Sequence, residues 1–149
     1  MKLAEALQER ADLNRRLEQL RHRLCNNAIV QEGEKPAEDP HKLLAEQEEC
    51  LGRLECLMAQ INLTNSRTTV EGKTLTEWIA RRDALKLRII ALREMTDAAS
   101  RIAQRATRSE IKILPTVDVP TIQKQLDEAS AELRRTDNLI QQHNWLTEL

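Results

Sequence analysis

The sequence predicts an all-α protein: an antiparallel four-helix bundle, or coiled-coil-like long helices, with at most a short two-stranded β ribbon in the connections. Three observations lead there. Aromatic residues reach only 1%, two Trp with no Phe or Tyr, so the apolar mass is aliphatic and dominated by Leu. Strands favour the aromatic and β-branched residues that are scarce here, and three Gly with four Pro are too few for the turns of a sandwich or barrel. Apolar residues also recur at helical spacing over four long stretches, as expected of long helices rich in Ala, Glu, Lys, Leu and Arg. The 149 residues suit one helical domain, 1–149.

The first helix is expected over about 2–27, with Leu3, Arg10, Leu17 and Leu24 at one heptad position and Ala6, Leu13, Leu20 and Asn27 at the other. Gly33, Pro36 and Pro40 interrupt it. Asp39-Pro40 reads as an N-cap and first-turn proline, starting a second helix over about 40–64, with Leu44, Leu51 and Met58 set against Gln47, Leu54 and Ile61. Glu71-Gly72 is a candidate tight turn, and Thr74-Leu-Thr-Glu77 has the capping-box pattern. A third helix follows over about 75–105, its core face carrying Trp78, Leu85, Ile89, Leu92, Ala99 and Ala103. The alternation of Glu110-Ile-Lys-Ile-Leu114 suggests a short strand, able to pair with Ala28–Glu32. Asp118 caps a fourth helix over about 119–142, striped by Ile122, Leu126, Ala129, Leu133 and Ile140; residues 143–149 form a tail.

Function is less legible. Net charge is −1, so no overall basic field attracts nucleic acid or anionic lipid. The N-terminus carries Glu5 and Glu9 where a signal peptide would be apolar, and Ile89-Ile90-Ala91-Leu92 is far short of a membrane span. Cys25, Cys50 and Cys56 are odd in number and lack metal-ligand spacing, which suits buried, reduced thiols in the cytoplasm. A di-iron bundle needs Glu-x-x-His on helices, and the one such string, Glu38 to His41, straddles a helix start. No metal, cofactor or catalytic residue is expected, and no nucleic acid or membrane partner.

Two arginines break the apolar stripes: Arg10 in the first helix, and Arg82 among Trp78, Leu85 and Ile89 in the third. Each either snorkels to the core edge or holds a buried acid or anion; Asp137 and Glu132 are the natural partners for Arg82. Ile79, Leu87 and Ile90 form a second apolar sector on the third helix, the face expected to join copies in a homo-oligomer. Residues 31–50 carry seven acids against two lysines, whereas 81–112 carry nine Lys/Arg against four acids. That contrast suits complementary charge between neighbouring helices or subunits.

Six strings, MKLAEALQERADLNRRLEQLR, VQEGEKPAEDP, INLTNSRT, GKTLTEWIARRD, RSEIKILPTVDV and HNWLTEL, together resemble a bacterial family of small helical proteins often labelled septicolysin. The resemblance spans the chain in order, departing at Ala106-Thr107, where an aromatic would be expected. The label implies a cytolysin. The residues favour a different reading, because pore formation needs a bilayer-length apolar segment or an aromatic-rimmed amphipathic surface. The expected function is therefore that of a non-enzymatic cytoplasmic helical protein acting by homo-oligomerisation or with a protein partner. Cytolysis is the alternative, and dye release from liposomes separates the two.

Overall fold

Two of the helix starts follow local capping chemistry. In a computed structural model describing residues 1–101 and 111–149, Asp39 accepts from the His41 amide at 3.0 Å, with Pro40 at the first helical position. The Thr74 hydroxyl accepts from the Glu77 amide at 3.2 Å while Glu77 accepts from the Thr74 amide at 2.7 Å, the reciprocal box the sequence signals. Asp118 opens the last helix, its carbonyl accepting from Ile122 at 3.1 Å. The fold is all-α. Among the described residues the helices are α1 (Leu3–Asn26), α2 (Pro40–Arg67), α3 (Leu75–Ser100) and α4 (Val119–Leu146). One small antiparallel ribbon, β1 (Thr69–Val70) and β2 (Lys73–Thr74), stands between α2 and α3.

The chain divides into two compact units, Met1–Thr69 with His143–Leu149, and Val70–Gln142. In the first, α1 and α2 are antiparallel: Glu9 pairs with Arg53, Arg16 with Glu46, and Arg23 with Glu38 just before α2. Leu3, Ala6, Leu20, Leu57 and Ile61 are fully buried, and Leu20, Leu43 and Cys50 form a cluster backed by Leu13, Leu17 and Leu24. Each such large aliphatic side chain contributes about 1.5–3 kcal/mol on leaving water. Asn27 closes the connection, its side-chain amide donating to the Arg23 carbonyl and accepting from the Glu38 amide, both at 2.9 Å.

Half of the expected α2 seam holds, with Ile61 buried and Gln47 and Leu54 half-buried, but the other half shifts by one residue. Leu43, Cys50 and Leu57 face the core, while Leu44, Leu51 and Met58 are 46%, 41% and 44% exposed. The ion pairs across to α1 fit this phase. Glu46 and Arg53 lie three residues beyond Leu43 and Cys50, about 60° round the helix. Turning Leu44, Leu51 and Met58 inward would swing both charges away from α1 and break their pairs.

In the second unit α3 and α4 are antiparallel, with Arg81 bonded to Glu132 at 2.8 Å and Ile89 clustered with Leu126 and Ala129. Leu92 and Leu133 pack against that cluster, and Leu75, Leu85 and Ile140 are buried as well. The ribbon turns through Glu71 (φ 50°) and Gly72 (φ 81°), two successive left-handed residues suited to a tight hairpin. Trp78 braces it, its indole N–H donating to the Val70 carbonyl at 2.9 Å while the Lys73 ammonium sits 5.0 Å above the ring.

Three expectations about the connections change. Ala28–Glu32 and Ile111–Leu114 are not strands; Glu110 lies outside the described residues. A hairpin closed by two adjacent turn residues costs far less loop entropy than that distant pairing. The expected tail is also ordered: α4 continues to Leu146, Leu3 donates to the Thr147 carbonyl and Leu149 to the Met1 carbonyl, each at 2.9 Å, and Lys2 pairs with Glu148 at 2.6 Å. Of the three thiols only Cys50 is buried; Cys25 and Cys56 are exposed. The expected last turn of the third helix, with Ala103, lies outside the described residues, as do Ala106 and Thr107.

Candidate functional site

The two arginines singled out by sequence do not meet. Arg10 is half-buried on α1, has no ion-pair partner among the described residues, and its carbonyl accepts from the Asn14 side chain at 2.9 Å. Arg82 keeps 23% of its side chain exposed and pairs with Asp83, its own neighbour, at 2.9 Å. Neither Asp137 nor Glu132 is its partner, because Glu132 is held by Arg81, one residue earlier and turned toward α4. Arg82 thus behaves as a guanidinium reaching out along the core edge.

Among the described residues no group of three or more His, Cys, Asp or Glu is placed to hold a metal ion. His22 lies 3.1 Å from Glu18, both on the exposed side of α1. The carboxylates that titrate low are structural. Arg53 holds Glu9, Arg23 holds Glu38 and Arg21 holds Glu18 below the usual carboxylate range, chiefly through side-chain hydrogen bonds. Within the second unit a cleft of about 460 Å³ is lined by Trp78, Glu132, Arg135, Thr136 and Leu139, among others. Its Glu132 is engaged by Arg81 and its indole N–H by Val70, leaving a polar groove without a nucleophile paired to a base.

The surface of α3 is more telling. Leu87 is 70% and Ile90 50% exposed, as the second apolar sector requires, whereas Ile79 is half-buried at its edge. Beside Leu87 runs a line that sequence reading passed over: Ala80, Ala84, Ala91 and Met95, all exposed, spaced so that successive members fall on one face at 100° per residue. With Leu85 and Ile89 buried on the other side, α3 is apolar on two faces. Alanine reads as a neutral helix former, so only the exposure pattern exposes this line as a surface. Arg88 and Glu94 border it on either side, both exposed and without ion-pair partners among the described residues.

The fold and this surface define a class: an all-α protein of two helical hairpins, each with an apolar face left in water. Residues 10–149 match the family of unknown function DUF6847, and the chain belongs to that family. It is also similar to a crystal structure described as a functionally unknown conserved protein from Corynebacterium diphtheriae, with 44% identity and a TM-score of 0.93, covering 100% of this chain and 98% of that one. No curated protein matches. No helix among the described residues is long and apolar enough to cross a membrane.

Proposed function

We propose that this is a non-enzymatic cytoplasmic protein that works by self-association and by contact with other proteins, α3 supplying the contact. The observation that supports the reading is the outward face of α3, where Leu87 and Ile90 stand in water beside exposed alanines. A helix apolar on two sides is normally buried on both. Fully burying a side chain such as Leu87 or Ile90 contributes on the order of 1.5–3 kcal/mol, set against the ordering cost of association. Three free thiols fit a reducing compartment.

Sedimentation equilibrium at tens of micromolar tests the reading. The wild type is expected to sediment as a multiple of 17.2 kDa. Ile90→Glu is expected to dissociate while keeping its helical circular dichroism, because Ile90 is 50% exposed and lies outside the buried cluster of Ile89, Leu126 and Ala129. A wild-type mass equal to the single chain overturns self-association.

A further inference from the structure

The cleft of the second unit lies wholly within Val70–Gln142, and one of its walls is a face of α4. Glu132, Arg135, Thr136, Leu139 and Gln142 recur there at helical spacing, so they share one side over about three turns. Trp78, in the first turn of α3, and Glu71, at the turn of the ribbon, line it from the other elements. At about 460 Å³ it has the size of a small-molecule site.

Three of its groups go unanswered by the chain. Thr136 is 3% exposed, and its hydroxyl has no hydrogen-bond partner among the described residues. Other helical hydroxyls here bond back along the helix, Ser130 to the Leu126 carbonyl at 2.7 Å and Thr96 to that of Leu92 at 2.8 Å. Among the described residues no side-chain nitrogen or oxygen is both sealed from solvent and unpartnered, so the Thr136 hydroxyl keeps its access through the cleft it lines. An unpaired hydroxyl in a buried side chain costs the fold stability. Arg135 is exposed and has no ion pair, since the acid one turn before it, Glu132, is held by Arg81. Glu71 is free as well, and it occupies a left-handed position (φ 50°) that Gly or Asn adopts at lower cost.

A free cation and a free anion in one cleft suit a zwitterion, and charge-assisted hydrogen bonds would hold both of its ends. Between them, Trp78 and the half-buried Leu139 offer an apolar wall to a flat body. We propose that this cleft binds an aromatic α-amino acid. Arg135 takes the carboxylate, Glu71 the ammonium, and the ring lies against Trp78 and Leu139, with the Thr136 hydroxyl hydrogen-bonded to the ligand. The site is independent of self-association, because Leu87 and Ile90 are not among its lining residues.

Calorimetric titration of the intact chain with L-phenylalanine tests it. Saturable binding is expected, with half-saturation at or below about 1 mM. N-acetyl-L-phenylalanine, which lacks the ammonium, and L-phenylalanine amide, which lacks the carboxylate, should each bind about tenfold more weakly or worse. Arg135→Gln should erase the advantage of the amino acid over its amide, and Glu71→Gln its advantage over the acetylated form. Thr136→Val separates a ligand group from a structural one: it should weaken binding several-fold yet raise the urea midpoint of the chain without the probe. A lower midpoint for that variant overturns the role of Thr136. No binding up to about 10 mM, or binding indifferent to both blocked forms, overturns the site itself.

Discussion

Replacing Gly52 by alanine should make the dissociated chain more stable. The residue is helical and exposed, and an added methyl has open space around it. The substitution therefore removes backbone freedom from the unfolded chain at no steric cost, a gain of about 0.5–1 kcal/mol. For a chain of this size the gain raises the melting temperature by roughly 1–4 °C. Urea unfolding followed by far-UV circular dichroism, at a concentration low enough to keep copies apart, reads it as a higher midpoint with an unchanged slope. An unchanged or lower midpoint would refute the reasoning, since it would mean that the glycine serves the isolated fold.

The phase of α2 makes a paired prediction: Leu57→Ala should cost about 2–5 kcal/mol, whereas Met58→Ala, one residue away, should cost under about 1 kcal/mol in dilute urea titrations. Acid should weaken the fold with a definite sign. Glu9, Glu18 and Glu38 titrate below their ordinary 4.5, so their contribution is complete above that value and is lost as pH falls through the lowered ones. Urea midpoints between pH 7 and pH 2.5 should fall mainly below 4.5, and Glu38→Gln should flatten part of that fall. A thiol reagent added to native protein should modify Cys25 and Cys56 quickly and Cys50 only on the timescale of opening, giving two fast equivalents and one slow.

How much was legible varied with the kind of signal. Caps and turns carry their information locally, so Asp39, Thr74 to Glu77 and Glu71-Gly72 could be read directly. The cores of α3 and α4 were legible as well, because Leu85 and Ile89 on α3, and Leu126, Ala129 and Ile140 on α4, fall on the face that the periodicity picks out. On α2 two apolar lines compete, and the line with the larger side chains is the exposed one. The observed phase goes with the pairing of Glu46 with Arg16 and of Arg53 with Glu9 across to α1, and partners 30 and 44 residues apart are invisible to a periodicity argument. Arg82 shows the same limit: a plausible acid on another helix lost to Asp83 next door because Arg81 had already taken Glu132. The alanine line on α3 escaped because alanine is at home on any face of a helix, and only exposure tells which one it occupies.

The two tryptophans give each unit its own optical signal. Trp78 belongs to the unit Val70–Gln142 and Trp145 to the unit that includes His143–Leu149, and the chain has no tyrosine to add emission of its own. Trp78 is half-buried, hydrogen-bonded to Val70 and stacked beneath Lys73, whereas Trp145 is 62% exposed. The first should emit to the blue and shift red when the ribbon opens; the second should already emit near the wavelength of indole in water. A Trp145→Leu chain would thus report on the unit Val70–Gln142 alone. Setting its fluorescence unfolding curve beside the loss of helical circular dichroism would tell whether that unit melts with the rest of the chain or apart from it, with no label attached.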